Sequence, residues 1–132
     1  MPTEELPELD ASVSTTKVGE NAYVLALSGE LDLYSTPRLV AELEALAPDG
    51  ADVVLDLTEV TFIDSTALGA ILIGARRLTQ AGGGLVLAGP TPATTRLLGV
   101  VGIDRVVPLF ETSERALEHL VGSVLLRKLE QG

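Results

Sequence analysis

The chain has 132 residues, enough for one hydrophobic core and too few for two ordinary domains. It has no cysteine, which excludes a disulfide framework or a thiolate metal site and fits a reducing compartment. Its formal net charge of -10 argues against nucleic acid and against an anionic membrane as partners, since both are met with Lys and Arg; the charge serves solubility.

The first residues, MPTEELPELD, are acidic and carry two prolines, the reverse of a basic leader with an apolar core. Residues 1–11 read as a disordered tail, 12–127 as one domain and 128–132 as a C-terminal tail. The longest apolar run, LGAILIGA, ends at Arg76, far short of the roughly 20 residues a membrane span needs. A cytoplasmic protein is the expectation.

Ser12–Val18 and Ala22–Ser28 are β-prone runs around the turn residues Gly19-Glu20-Asn21, a hairpin signal. Gly29–Leu33 reads as a loop. Thr36-Pro37 then reads as cap and first helical position, because Pro there loses no hydrogen bond. Leu39, Val40, Leu43, Leu46 and Ala47 form the apolar stripe of this helix, and Pro48-Asp49-Gly50 stops it.

Val53-Val54-Leu55 is a short apolar run, read as a buried strand ending at Asp56. Asp56 and Asp64 bracket the connection that follows. Asp64-Ser65-Thr66 is a cluster of capping residues opening a long helical pattern. Ala67, Leu68, Ile71, Leu72, Ala75 and Leu78 share one face, which enters the core. Arg76, Arg77 and Gln80 mark the solvent side, and counting back by three or four puts Ile73, Ala70, Gly69 and Thr66 there too. An apolar outer surface beside a hydroxyl suggests a docking site, the alternative being a helix buried on both faces.

Ala81–Gly84 ends that helix. This glycine run lacks the order and the Gly-Lys-Ser/Thr ending of a phosphate loop. Leu85–Ala88 is a strand. Thr91-Pro92 opens a short helix through Leu97 and Leu98, broken near Gly99 and Gly102. Val106–Leu109 is the next strand. Thr112 opens a last helix with Ala116, Leu117, Leu120, Val121, Val124 and Leu125 on one stripe. The order β-β-α-β-α-β-α-β-α implies a single-domain α/β fold. Its sheet is mixed but mostly parallel, of about five strands with four helices joined by right-handed crossovers.

Catalysis has little to work with. Ser65 lacks the Gly-x-Ser-x-Gly elbow, and a serine needs a neighbouring base to attack. His119 is the only histidine and lies on the polar side of the last helix. No metal-ligand spacing occurs, and no cofactor is expected. An acid/base pair from Asp56 and Asp64 is weaker than their reading as ligands of loop amides. Ser65 is better placed as a substrate than as a catalyst, since a phosphate there would lie beside free helix N–H groups; the alternative is a plain helix cap.

The stretch LDLTEVTFIDSTALGAIL resembles the signature of the STAS domain, and within it of the bacterial anti-sigma factor antagonists. LSGELDLYSTPRLVAEL gives a second, weaker match, at the Gly-Glu-hydrophobic-Asp before the first helix. Ala67 departs mildly from the Gly of many members. The resemblance runs over roughly residues 12–121 by the pattern of elements. It implies the STAS fold and a regulatory protein, not an enzyme. It implies that Ser65 is phosphorylated by an ATP-dependent anti-sigma factor serine kinase, which the unphosphorylated form binds so that the sigma factor is freed. A phosphatase is a further expected partner. Thr66 takes the place of a second hydroxyl residue, and Asp32 and Asp56 match family aspartates. Asp32, Asp64, Thr66, Gly69, Ala70 and Ile73 are the candidate partner-binding residues. A STAS module of another assembly, in stress signalling or lipid transport, and a small serine hydrolase are the alternatives.

Overall fold

Alternation with period two assigns the two faces of the central strand. Val53, Leu55 and Leu57 enter one buried cluster, and Val54 enters another on the opposite side of the sheet. Leu85 and Leu87 against Val86 and Ala88 repeat the pattern in the next strand. Such strands are apolar on both faces, as a sheet covered on both sides requires.

A computed structural model describes residues 11–131 of this arrangement. The elements are β1 (Ala11–Gly19), β2 (Ala22–Leu31), α1 (Thr36–Leu46), β3 (Asp52–Ile63), α2 (Ser65–Gln80), β4 (Gly84–Ala88), α3 (Pro92–Val101), β5 (Leu109–Phe110) and α4 (Ser113–Gln131). The five strands lie in the sheet in chain order. β1 pairs antiparallel with β2, and the other pairs are parallel.

Because each parallel crossover moves one strand further in the same direction, right-handedness puts α1, α2 and α3 on one face. Their buried residues Leu39, Leu43, Ile71, Leu78 and Leu98 form the larger cluster there. Only α4 crosses to the other face, packing Ala116 and Leu120 on Val54, Val86 and Ala88. Arg127 fastens its far half: one nitrogen donates to Asp52 Oδ2 at 2.7 Å and another to the Gly82 carbonyl. This bridge ties α4 to the start of β3 and to the turn after α2.

Several boundaries differ from the sequence reading. The central strand does not end at Asp56 but runs to Ile63. Its pairing with β4 stops at Asp56, while the pairing with β2 continues to Leu31↔Ile63 through two register shifts. Those shifts space the buried Leu57, Val60 and Ile63 by three residues, which no simple strand period matches. For the same reason Gly29–Leu31 is strand rather than loop. The first helix begins at Thr36 with Ser35 in the cap position, so Pro37 is its second residue. Gly99 does not break α3, which ends at Gly102 in the left-handed conformation (φ 81°). Val106–Pro108 is not strand: Ile103–Arg105 winds into a 3₁₀ turn first, and only Leu109 and Phe110 pair with β4.

The stripe on α4 is half as long as the pattern suggests. Ala116 and Leu120 are buried and Leu117 is half-buried, whereas Val121 and Leu125 are exposed. Ala11 already belongs to β1; the tail expected before it, over residues 1–10, lies outside the described residues. Helix α4 continues through Gln131, past residue 127. No helix among the described residues is long and apolar enough to cross a membrane.

Candidate functional site

The site is built where β2 and β3 end and α1 and α2 begin. Asp64 is its pivot. The Asp64 N–H donates to the Leu31 carbonyl at 2.9 Å, fixing the two strand ends together. Its carboxylate then accepts two backbone N–H groups, from Leu33 at Oδ2 and from Ala67 at Oδ1, each at 3.0 Å. One side chain thus caps α2 and holds the loop before α1. The capping residue is Asp64, and the reading of Ser65 as a plain cap is corrected here: Ser65 is the first residue of the helix.

Asp32 organises the same loop from the other end. Its Oδ1 accepts from the N–H groups of Tyr34 at 2.9 Å and Ser35 at 3.0 Å. Its carbonyl accepts from the Thr36 N–H and hydroxyl. Ser35, 4% exposed, donates its hydroxyl to the Glu30 carbonyl. The carboxylate of Asp32 is occupied by its own loop, which holds Leu33 and Tyr34 out in solvent.

Ser65 and Thr66 are exposed, and neither hydroxyl has a hydrogen-bond partner among the described residues. The first four N–H groups of a helix have no acceptor within it. Here Ala67 is served by the Asp64 side chain and Leu68 by the Asp64 carbonyl, which leaves those of Ser65 and Thr66 for water or an anion.

Beside Ser65 runs a groove of about 390 Å³ between α1 and α2. Gly69, Ala70 and Ile73 line the α2 side and Val40 and Leu43 the α1 side, with Ser65 and Thr66 at one end and Arg77 at the other. Small residues make it possible: a Cβ on the buried Gly74 would stand 2.6 Å from Leu43 Cδ1, so the helices approach closely beneath the groove. Ile73 is 53% exposed, while Ile71 on the opposite side is fully buried. Leu72 is only half-buried, so it is a boundary residue rather than the core position the helical pattern suggests. The exposed ion pair Arg77–Glu44 (3.3 Å) contributes little.

Asp56 stands apart from this site, at the point where β3 leaves β4. Burial pushes its carboxyl up. Hydrogen bonds led by the hydroxyl and N–H of Thr58 outweigh that and hold it below its ordinary value of 3.8. The favoured reading of Asp56 and Asp64 as ligands of loop amides, over an acid/base pair, agrees with this: each carboxylate accepts from backbone N–H groups around it. His119 is exposed and lies tilted on Phe110 with ring centroids 5.0 Å apart, far in the fold from Ser65.

The family profile described as "Mlab, STAS domain" matches residues 14–110. This chain belongs to the STAS family. Among curated relatives, the anti-sigma-B factor antagonist of Bacillus subtilis (strain 168) is 31% identical over 102 residues, covering 77% of this chain and 94% of the relative. The anti-sigma F factor antagonist of Paenibacillus polymyxa is 30% identical over 99 residues, covering 74% and 85%. Among solved structures, an anti-sigma factor antagonist from Mycobacterium paratuberculosis superposes with a TM-score of 0.74 at 26% identity, over 83% of this chain and 93% of that one. Within the STAS family the chain groups with the anti-sigma factor antagonists, which are regulatory binding proteins and not enzymes.

The fold brings Asp32, Asp64, Ser65 and Thr66 together at one corner of this STAS domain and puts Gly69, Ala70 and Ile73 on the adjoining groove. Sequence reasoning missed the exposed Leu33, Tyr34 and Phe62 at the same corner. The signal was present: two apolar residues inside a loop flanked by Asp32 and Ser35, and a Phe that breaks strand alternation just before Asp64.

Proposed function

We propose that this STAS protein is an anti-sigma factor antagonist that binds an anti-sigma factor serine kinase through the corner around Ser65 and the α1–α2 groove. Phosphorylation of Ser65 ends the binding, and a phosphatase restores it. The observation that carries the reading is the state of the Ser65 hydroxyl. It is exposed, without a hydrogen-bond partner among the described residues and relieved of capping by Asp64, at the mouth of an apolar groove.

The chemistry follows from that geometry. The Ser65 oxygen forms a bond to the γ-phosphorus of ATP, the bond from that phosphorus to the ADP oxygen breaks, and the hydroxyl proton passes to a base of the kinase. The product adds about -1.5 to -2 charge beside the free N–H groups of Ser65 and Thr66, which the positive end of α2 tolerates. Asp64 stands next to it and repels it. The fold survives while the corner changes sign and bulk.

The test is phosphate transfer. Incubation with the cognate kinase and ATP adds one phosphate, and mass spectrometry maps it to Ser65; a phosphate on Thr66 overturns the assignment. Ser65→Ala binds the kinase constitutively and Ser65→Asp binds poorly while staying folded. Equal binding by both variants would sink the switch.

A further inference from the structure

On the other face of the sheet, well away from Ser65, the second half of α4 carries an apolar stripe that no other described residue covers. Val121, Leu125, Leu126 and Leu129 are 58%, 56%, 63% and 77% exposed. Together they present on the order of 400 Å² of apolar surface, comparable to the largest patch on a typical monomer. Val121, Leu125 and Leu129 recur every four residues, directly opposite the anchored side of the helix, where Arg127 holds Asp52. A groove of about 500 Å³ runs beside them, between α4 and the β1–β2 turn, with the exposed Val18 on its far wall.

We infer that this stripe is the contact between two copies of the chain, packed as an antiparallel α4–α4 pair about a two-fold axis. The charges along the helix select this occupant and orientation. Glu114 and Glu118 precede the apolar residues on the same outer line, and Lys128 follows on its flank. Turning the second helix about an axis near Ser123 sets Val121 of one copy against Leu125 of the other. The same register sets Glu118 against Lys128, twice, because the contact is two-fold. A parallel pair would instead set like charges together. Gly122 sits beside the centre of the contact, and a Cβ there would meet nothing within 4 Å, so the second backbone has room to approach.

The area agrees. Twice the stripe with its flanking residues reaches about 1,000 Å², the lower bound for a specific interface. The net charge of -10 on each copy opposes the pairing at low salt and is screened at about 0.15 M.

Sedimentation equilibrium of the full chain at increasing concentration tests this. A monomer–dimer equilibrium is expected. Leu125→Glu weakens it by at least about 100-fold, with the thermal midpoint unchanged at concentrations low enough that both proteins are monomers, since the position is exposed in the monomer. Glu118→Lys and Lys128→Glu each weaken it roughly tenfold, and the double swap restores it. These surface charge variants keep the test open should Leu125→Glu disturb folding. A monomer at every concentration overturns the inference, whether residues 1–10 or another protein then covers the stripe. So does a dimer that ignores Leu125→Glu, or one that the double swap fails to restore.

Discussion

Replacing Asp64 with Ala separates the cap of α2 from its neighbour Ser65. The carboxylate accepts N–H groups from Leu33 and Ala67 at 3.0 Å each. Hydrogen bonds to a charged group are worth about 1.5–3 kcal/mol net, and loss of an N-cap about 1 kcal/mol. Leu33 is exposed, so its N–H recovers a water partner and most of its share is returned. The Ala67 N–H lies over a fully buried side chain and recovers less. Asp64→Ala should therefore cost about 2 kcal/mol. Ser65→Ala removes a hydroxyl with no partner among the described residues and improves helix propensity by a few tenths of a kcal/mol, so it should be neutral. Urea unfolding of both variants, with the denaturant slope checked for constancy, reads the difference directly. A loss of about 1 kcal/mol or more in Ser65→Ala would show that Ser65 shares the capping. The claim that its hydroxyl is free for modification would then fail.

Ile73→Glu should leave the thermal midpoint nearly unchanged, within about 0.5 kcal/mol, yet abolish kinase capture, because a carboxylate desolvated in the complex has no partner. Ile71→Glu, on the fully buried side, should unfold the domain; if Ile73→Glu does the same, the groove wall is core. Asp56 has a folded-state pKa below that of the unfolded chain. Its contribution is complete above about pH 4 and is lost as pH falls through the folded value. Loss of the charged acceptor for Thr58 in Asp56→Asn, discounted for the partial exposure of the carboxyl, should cost about 1 kcal/mol at neutral pH, and the deficit should shrink in acid; a deficit constant with pH contradicts the assigned hydrogen bonds. Gly83→Ala would place a Cβ 2.1 Å from the Ala51 carbonyl oxygen and should cost about 3 kcal/mol or more. Gly82→Ala meets open space and bears only the left-handed backbone penalty of about 1–2 kcal/mol; equal midpoints for the two in thermal melts would refute the close approach.

The order of elements and the two-face logic of β3 and β4 were legible because long apolar periods dominate local structure. Boundaries were not, wherever tertiary pairing overrides a period. The register shifts that carry β3 to Ile63 leave no mark on the sequence beyond Leu57, Val60 and Ile63 at a spacing that fits neither strand nor loop. The corner of the site was visible as capping residues, yet which of them caps depended on geometry. Asp64 reaches both α2 and a residue 31 positions earlier, a contact no local rule contains. The outer face of α2 was readable from Gly69, Ala70 and Ile73, while its other wall, Val40 and Leu43, lies on a helix whose stripe appeared wholly internal. The half-empty stripe of α4 could not be foreseen, because periodicity identifies an apolar face and not what covers it.

A sheet whose strands lie in chain order never asks a strand to pair before its neighbour has been made. The hairpin of β1 and β2 closes over a two-residue turn, and each later strand adds to an edge already formed, one crossover helix away. Loop closures stay short, which keeps the entropic barrier to each addition low for a sheet that is mostly parallel. During synthesis the growing edge is always the newest strand. That edge stays open only until the next helix and strand emerge, and β5, two residues long, closes the series with little edge left to expose.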